Sequence, residues 1–261
     1  MTDGKLKAQV VDYSHRLHSR GWVANHDGNL SVRLSDGRFL CTPTAFSKAE
    51  VTADSLVTVD SGGAVVAGRY RVFSEMGLHL CVYRERADVQ AVIHAHPPHA
   101  TALAAAGRAL DQPFLPEAVV SLGPSIPTVP VTAPGPAAVA ALRPLAGSYD
   151  VVMMAGNGVF AWGSDIEQAY LRLELCEHLA RIYLLALPAG GVQPLPAALL
   201  PPLLEARRKA GLGPEARGGK AAAPAVAPPA SSPPAASAAS LDGSRLAALI
   251  REELSAALRR S

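Results

Sequence analysis

The feature that most constrains this chain is a short apolar stretch that ends in two histidines and two prolines, Ala91-Val-Ile-His-Ala-His-Pro-Pro98. Its valine and isoleucine favour a β-strand, and its prolines cannot continue a central strand. Because side chains alternate along a strand, we expect His94 and His96 to point to the same face. Two such imidazoles can bind one divalent metal ion, most naturally Zn²⁺. A bare His-x-His pair is also compatible with two ordinary polar residues at a strand end.

Composition excludes several classes of function. The 261 residues include 24 basic and 22 acidic side chains, a net charge of +2, with no basic patch that would indicate a nucleic-acid partner. The start of the sequence lacks the apolar stretch of a signal peptide, and no segment is apolar enough to span a membrane. The three widely spaced cysteines, Cys41, Cys81 and Cys176, are typical of buried free thiols. We therefore expect a cytoplasmic protein without nucleic-acid or membrane partners.

Hydrophobic periodicity predicts an alternation of helices and strands. Helical spacing appears at residues 4–20, 74–83, 99–106, 137–143 and 164–186. Strand patterns appear at 30–33, 38–42, 56–60, 64–67, 151–154 and 159–162, with short extended pieces at 118–121 and 128–131. Ser74 is predicted to cap the second helix, and Pro144 to end the fourth.

The composition changes after about residue 205. Residues 221–240 contain only alanine, proline, serine and one valine, which predicts a flexible linker over 206–240. Apolar residues recur at helical spacing in 241–261, which predicts an amphipathic helix. A short helix of this kind needs a partner for its apolar stripe, either another protein or its own domain. The predicted folded domain is residues 1–205.

Several short motifs follow one another along the chain. They are Gly28-Asn-Leu-Ser-Val-Arg33, Thr42-Pro-Thr44, Ser74-Glu75, His94-Ala-His96, Leu115-Pro-Glu117, Gly158-Val159, Trp162-Gly163 and Glu174-Leu-Cys-Glu-His178. Taken in this order, they resemble the class II aldolase/adducin family, which includes the fuculose- and rhamnulose-phosphate aldolases. The resemblance covers residues 5–190 and implies a three-layer α/β/α fold with a mainly antiparallel central sheet. It also implies a homotetramer with active sites between subunits.

The resemblance implies a zinc site in which the His-x-His pair, His94 and His96, supplies two of three histidine ligands. The third falls on Asn157, whose carbonyl oxygen is a weaker zinc ligand than imidazole. Three other histidines are candidates to replace the missing ligand: His26, His79 and His99.

The same resemblance assigns roles to four further residues. Glu75 matches the family's acid/base residue, which moves a proton beside the metal. Asn29, Thr44 and Ser74 match residues that bind the substrate phosphate. Without the resemblance, Glu75 is equally an ordinary acidic residue at the start of a helix.

We therefore expect a metal-dependent aldolase that cleaves a sugar phosphate such as fuculose 1-phosphate into dihydroxyacetone phosphate and an aldehyde. The alternatives are a catalytically impaired assembly or binding protein on the same fold, and a related sugar-phosphate epimerase or decarboxylase. The tail at 241–261 resembles the encapsulation peptides that direct enzymes into bacterial microcompartments. It predicts a microcompartment shell protein as a partner and a location inside such a compartment.

Overall fold

The computed structural model describes residues 3–213 of the protein. An eight-stranded sheet forms the central layer of this part of the chain. Its strands are β1 (Asn29–Arg33), β2 (Phe39–Cys41), β3 (Val57–Val59), β4 (Val65–Ala67), β5 (Ala91–Ala95), β6 (Thr128–Val129), β7 (Val151–Met154) and β8 (Val159–Gly163). They lie in the order β4-β3-β2-β1-β5-β8-β7-β6. The histidine-bearing strand β5 is therefore central, and its two neighbours are β1 and β8.

Within residues 3–213 the sheet is flanked by seven α-helices. They are α1 (Asp3–Ser19), α2 (Met76–Glu85), α3 (Pro98–Ala105), α4 (Pro116–Leu122), α5 (Pro136–Ala146), α6 (Ile166–Ala186) and α7 (Leu200–Lys209). Short 3₁₀ turns lie at Lys48–Glu50, Leu187–Ala189 and Ala197–Leu199.

Each face of the sheet has its own apolar core. Helices α1, α3, α4 and α6 pack on one face, and α2 and α5 pack on the other. Strand β5 serves both cores by simple alternation, because Ala91, Ile93 and Ala95 face the first core and Val92 faces the second. The predicted three-layer α/β/α arrangement is confirmed.

The sheet is mixed, which corrects the expectation of a mainly antiparallel sheet. Every neighbouring pair is antiparallel except β6 and β7, which are parallel. The chain between these two strands passes through α5. Such a crossover returns the second strand in the direction of the first.

Three local predictions were wrong. Residues 118–121, predicted as extended, lie in α4, which Pro116 opens and whose first turn contains Glu117. Helix α2 begins at Met76 with Glu75 at the cap position, so Ser74 lies one residue too early to cap it. Helix α5 continues through Pro144 to Ala146.

A buried carboxylate ties three helices to the end of the sheet. Asp150, immediately before β7, has a fully buried side chain with guanidinium nitrogens of Arg86, Arg172 and Arg207 at 3.1, 3.1 and 2.7 Å. Arg207 belongs to α7, and the predicted domain end at residue 205 falls inside this helix. The folded domain therefore continues past residue 205, because the Arg207 ion pair anchors α7.

The cysteine prediction is confirmed, since Cys41, Cys81 and Cys176 are buried and free. No helix in the described part of the chain is long and apolar enough to cross a membrane. The predicted linker beyond residue 213 and the predicted amphipathic helix at 241–261 lie outside the described residues.

Replacing Asp150 by asparagine should destabilise the domain strongly. The substitution leaves three guanidinium groups around a neutral amide, and breaking a buried ion pair from one side costs about 3–5 kcal/mol. Urea unfolding of Asp150→Asn measures this loss. Asp36→Asn is the matched control, because Asp36 and its partner Arg38 are exposed to solvent and should contribute little. Equal unfolding midpoints for the two variants would contradict the role of Asp150.

Candidate active site

Strand register places the central histidine in the middle of the site. Asn29 on β1 lies opposite His94 on β5, and Phe160 on β8 lies opposite it on the other side. The Phe160 ring stacks on His94 with 4.1 Å between ring centroids. Because the ladder hydrogen bonds fix this register, the side chains of Asn29 and His94 must share one end of the sheet.

The predicted site residues meet in one cavity of about 180 Å³. Besides the backbone turns around Gly28 and Pro43, the cavity is lined by Asn29, Thr44, Ser74, Glu75, His94, His96 and Asn157, and also by His26, Asp27 and Phe73. These residues come from five separate segments of the chain. The structure therefore brings together the seven residues predicted as metal, acid/base and phosphate-binding groups, and of the three candidate replacement ligands it places only His26 among them.

Both oxygens of Glu75 accept hydrogen bonds from side-chain amides. Asn157 Nδ2 donates to Oε1 at 2.6 Å, and Asn29 Nδ2 donates to Oε2 at 2.8 Å. His94 Nε2 lies 3.3 Å from Oε2. Glu75 also occupies the cap position of α2, where a negative charge is favourable. The carboxylate is held at a defined place beside the histidines.

These contacts determine the charge state of the site. Burial raises the pKa of Glu75, but His94 and the two amide hydrogen bonds outweigh it, so its pKa lies below the ordinary value. Burial lowers the pKa of His94 to about 4, against the opposing effect of Glu75. At neutral pH the site therefore holds an ionised carboxylate beside a neutral imidazole.

The histidine pair fits a divalent metal ion. His94 Nδ1 lies 3.1 Å from the carbonyl oxygen of Val159, which can only accept, so Nδ1 carries the proton and Nε2 is free. His96 Nδ1 lies 3.3 Å from the Asp27 carboxylate, which favours the same tautomer.

The two free Nε2 atoms are 3.1 Å apart. This separation is within hydrogen-bonding distance, and it is also close to the separation of about 3.3 Å between two ligands of a tetrahedral zinc ion. Among residues 3–213, no group of three or more His, Cys, Asp or Glu side chains is arranged to hold a metal. The histidine pair is thus the donor set that the described residues offer.

The amides of Asn157 and Asn29 both contact Glu75 in the structure. Asn157 directs its amide nitrogen to Glu75, and its role as a metal ligand remains a prediction. Asn29 is bonded at both ends of its amide, since its Oδ1 lies 2.6 Å from His79 Nε2. It therefore supports Glu75, and its role in phosphate binding remains a prediction. Thr44 and Ser74 line the cavity and remain the predicted phosphate-binding residues.

Two of the three replacement ligands are excluded by position. His79 is fully buried with both ring nitrogens bonded, to Asn29 and to Ser31. His99 bonds Glu177 at 2.6 Å and lines a separate groove of about 800 Å³ against α6, which contains none of the predicted site residues. His26 lines the site cavity and remains a candidate ligand.

Two features of the site were missed from sequence. The Asp27 carboxylate lies 3.3 Å from His96 Nδ1, close enough to orient the imidazole. In the sequence, only the position of Asp27 two residues before Asn29 indicated that it belongs to the site. Gly158 has φ +68°, and a Cβ there would overlap the carbonyl oxygen of Ala95 and approach His96 to 2.5 Å. The glycine that follows Asn157 is therefore required for β8 to pass so close to the histidine strand.

The family model for the class II aldolase and adducin N-terminal domain matches residues 8–184. The chain belongs to this family. A 3-oxo-tetronate 4-phosphate decarboxylase of Pectobacterium atrosepticum is 30% identical over 187 residues, 69% of this chain and 84% of that protein. An L-fuculose phosphate aldolase of Methanocaldococcus jannaschii is 30% identical over 181 residues, 69% and 97% respectively.

Solved structures support the class II aldolase fold. An L-fuculose 1-phosphate aldolase superposes on this chain with a TM-score of 0.72 at 26% sequence identity. The superposition covers 78% of this chain and 97% of the aldolase chain. Relatives in this family include aldolases, decarboxylases and a methylthioribulose-1-phosphate dehydratase. These relatives are all lyases.

The buried histidine of this class II aldolase domain should make its stability depend on pH. Burial lowers the pKa of His79 to about 3, whereas the unfolded chain binds the proton near pH 6.5. Below about pH 6.5 the unfolded state binds more protons, so the free energy of unfolding should fall by about 1.4 kcal/mol per pH unit from this residue.

Urea unfolding of the wild type and His79→Gln between pH 4.5 and 7.5 isolates this contribution. The glutamine variant cannot take up the proton, so its stability should fall less steeply as the pH drops. Parallel pH curves for the two proteins would show that His79 does not titrate on unfolding.

Proposed function

We propose that this chain is a metal-dependent lyase that cleaves a carbon–carbon bond next to a carbonyl group in a small phosphorylated sugar. The reaction we favour is the retro-aldol cleavage of a fuculose 1-phosphate-like substrate to dihydroxyacetone phosphate and an aldehyde. The observation that carries the proposal is the Glu75 carboxylate, held by two amides beside the Nε2 atoms of His94 and His96, which lie 3.1 Å apart.

The chemistry of the cleavage explains why these groups belong together. Breaking the bond leaves an enediolate, which must be stabilised and then protonated. A zinc ion on His94 and His96 would supply Lewis-acid stabilisation of the negative charge. Glu75 is placed to take the proton from the substrate hydroxyl and to return one to the carbon of the enediolate. The two amides keep its carboxylate aimed into the cavity throughout.

The size and lining of the cavity support a small substrate. A volume of about 180 Å³ is below the range of about 300–1,000 Å³ typical of pockets for drug-sized ligands. Thr44 and Ser74 line the cavity with hydroxyl groups, and we assign the phosphate to them. Phe73, which precedes Ser74, also lines the cavity.

A second candidate reaction is the decarboxylation of a phosphorylated 3-oxo sugar acid. The identity of 30% to a 3-oxo-tetronate 4-phosphate decarboxylase favours it. Loss of carbon dioxide also leaves an enediolate, so it requires the same metal and the same protonation. Release of carbon dioxide from 3-oxo-tetronate 4-phosphate, without formation of dihydroxyacetone phosphate from fuculose 1-phosphate, would select this candidate. Inversion of a hydroxyl without net cleavage would instead identify an epimerase.

Metal content tests the first requirement of the proposal. Protein purified without chelator and reloaded with zinc should retain about one zinc ion per chain. His94→Ala should lose it, because one imidazole alone cannot hold the ion, and Asn157→His should bind zinc more tightly. Elemental analysis after dialysis measures all three. A wild type that retains no metal, with binding restored by Asn157→His, would instead support the catalytically impaired assembly protein.

Replacing Glu75 by glutamine tests the acid/base role. The variant keeps the size and one hydrogen-bonding oxygen but cannot transfer a proton, so kcat should fall by about 10²–10⁴-fold with a small change in KM. The rate of dihydroxyacetone phosphate formation, measured at a series of substrate concentrations, gives kcat and KM. Glu174→Gln is the matched control, since Glu174 lies on α6 and pairs with Arg20 outside the cavity. Equal turnover by both variants would contradict the assignment.

We also propose a homotetramer with the site at a subunit boundary. Its support is the membership of the class II aldolase and adducin family. Light scattering on the purified protein measures the mass of the assembly.

The sequence of the tail supports a role as microcompartment cargo. Residues 241–261 combine an amphipathic pattern with an alanine- and proline-rich stretch before them. Deleting 241–261 should abolish co-purification with a shell protein and leave turnover unchanged. Continued co-purification of the shortened protein would reject the cargo role.

A further inference from the structure

A buried hydrogen-bond chain connects the core behind α2 to the carboxylate of Glu75. The Tyr83 hydroxyl is 2.9 Å from both Oγ and the carbonyl oxygen of Ser31. Ser31 Oγ is 2.7 Å from His79 Nδ1, and His79 Nε2 is 2.6 Å from Asn29 Oδ1. Asn29 Nδ2 then donates to Glu75 at 2.8 Å. The buried hydrogen-bond chain thus ends on the group assigned to proton transfer.

The direction of every bond in the buried hydrogen-bond chain follows from the donors and acceptors. An ionised Glu75 can only accept, so Asn29 must turn its nitrogen to it and its oxygen to His79. His79 must then carry its proton on Nε2 and accept from Ser31 on Nδ1. The single Tyr83 proton is shared between the two oxygens of Ser31. One tautomer of His79 therefore corresponds to one orientation of the Asn29 amide.

The surroundings of His79 keep its imidazole neutral and immobile. His79 and Ser31 are fully buried, and Asn29 is 4% exposed. Phe73 and Phe160 pack against the imidazole, with ring centroids 4.9 and 5.7 Å away. A buried imidazole between two aromatic rings cannot exchange its partners with water. The only freedom left at the site end of the chain is rotation of the Asn29 amide.

We propose that His79 is a positioning residue whose Nε2–H fixes the Asn29 amide with its nitrogen facing Glu75. The inference rests on the proposed acid/base role of Glu75. During turnover Glu75 gains and loses a proton, so it cannot define the orientation of Asn29 in every step. His79 takes no part in the reaction, so it can define the orientation of Asn29 in every step. Without it, Asn29 Oδ1 is buried and unbonded, which favours rotation of the amide away from Glu75.

Two substitutions at His79 separate this role from simple packing. His79→Gln retains an amide donor that can reach Asn29, whereas His79→Phe fills the space between the aromatic rings without a donor. His79→Phe should lower kcat by about 10²-fold with KM within about threefold, because misplacing a catalytic group by about 1 Å has this effect. His79→Gln should restore most of the loss. If His79→Phe does not fold, His79→Met provides a flexible side chain without a donor.

A variant that only destabilises the same core serves as the control. Leu142→Ala removes a fully buried side chain of α5 from the layer that contains α2 but leaves the buried hydrogen-bond chain intact. It should lower the melting temperature and preserve kcat at temperatures where the protein is folded. A fall in kcat equal to that of His79→Phe would mean that lost packing accounts for both, and would overturn the proposal.

The side-chain amide signal of Asn29 tests the inference without any turnover. In a ¹⁵N–¹H spectrum, assigned with Asn29→Ala, an amide bonded to a carboxylate should be shifted downfield and protected from exchange with water. We expect this signal in the wild type and His79→Gln and its loss in His79→Phe. An unchanged signal in His79→Phe would overturn the inference. If the wild type turns over neither substrate, the proposed function fails, and this spectrum still decides the role of His79.

Discussion

The pairing of β1 with β5 is the constraint on which the site depends. It places Asn29 directly across from His94, while β8 on the other side presents Phe160 to the same histidine. A shift of one residue in either pairing would turn the polar side chains to the opposite face of the sheet. The register is maintained by apolar alternation, because Ile93 and Ala95 must face one core and Val92 the other. Packing of the core thereby determines the position of the site.

The polar groups of the site are buried only because each has a partner. Leaving a buried donor or acceptor unbonded costs about 1–3 kcal/mol, and more for a charged group. Glu75 meets this requirement with two asparagine amides, and Asn29 meets it with His79. At the far end of the sheet, Asp150 meets it with three arginines. The ion pairs of Asp150 hold helices in place, whereas the polar groups around Glu75 border an open cavity that also contains His94 and His96.

Several elements of this protein could be predicted from local patterns and others could not. The alternation along Ala91–Ala95 was sufficient to place His94 on one face of a strand. The long helical period of α6 gave its end at Ala186, although the helix begins at Ile166, two residues later than predicted. The start of α2 was missed by one residue, because Ser74 is a good capping residue by type but lies one residue before the observed cap at Glu75. The helix at Pro116–Leu122 was mistaken for an extended segment, since seven residues with valines carry no helical period. The parallel pair of β6 and β7 depends on a crossover connection, which cannot be predicted from a short sequence pattern.

By itself, the sequence determined the candidate chemical groups: a histidine pair at the end of a strand before two prolines, a glutamate before a helix, and an asparagine where the resemblance leads one to expect a histidine. The histidine pair follows from residue type and spacing, which are local, and the other two follow from the family resemblance. Only the tertiary structure decided how these residues contact one another. It turned the amides of Asn29 and Asn157 toward Glu75, placed His79 behind them rather than in the site cavity, and placed His99 in another groove. Hydrogen bonds between segments more than 40 residues apart in the chain make these choices, and their geometry exists only after the sheet and its two helical layers have packed.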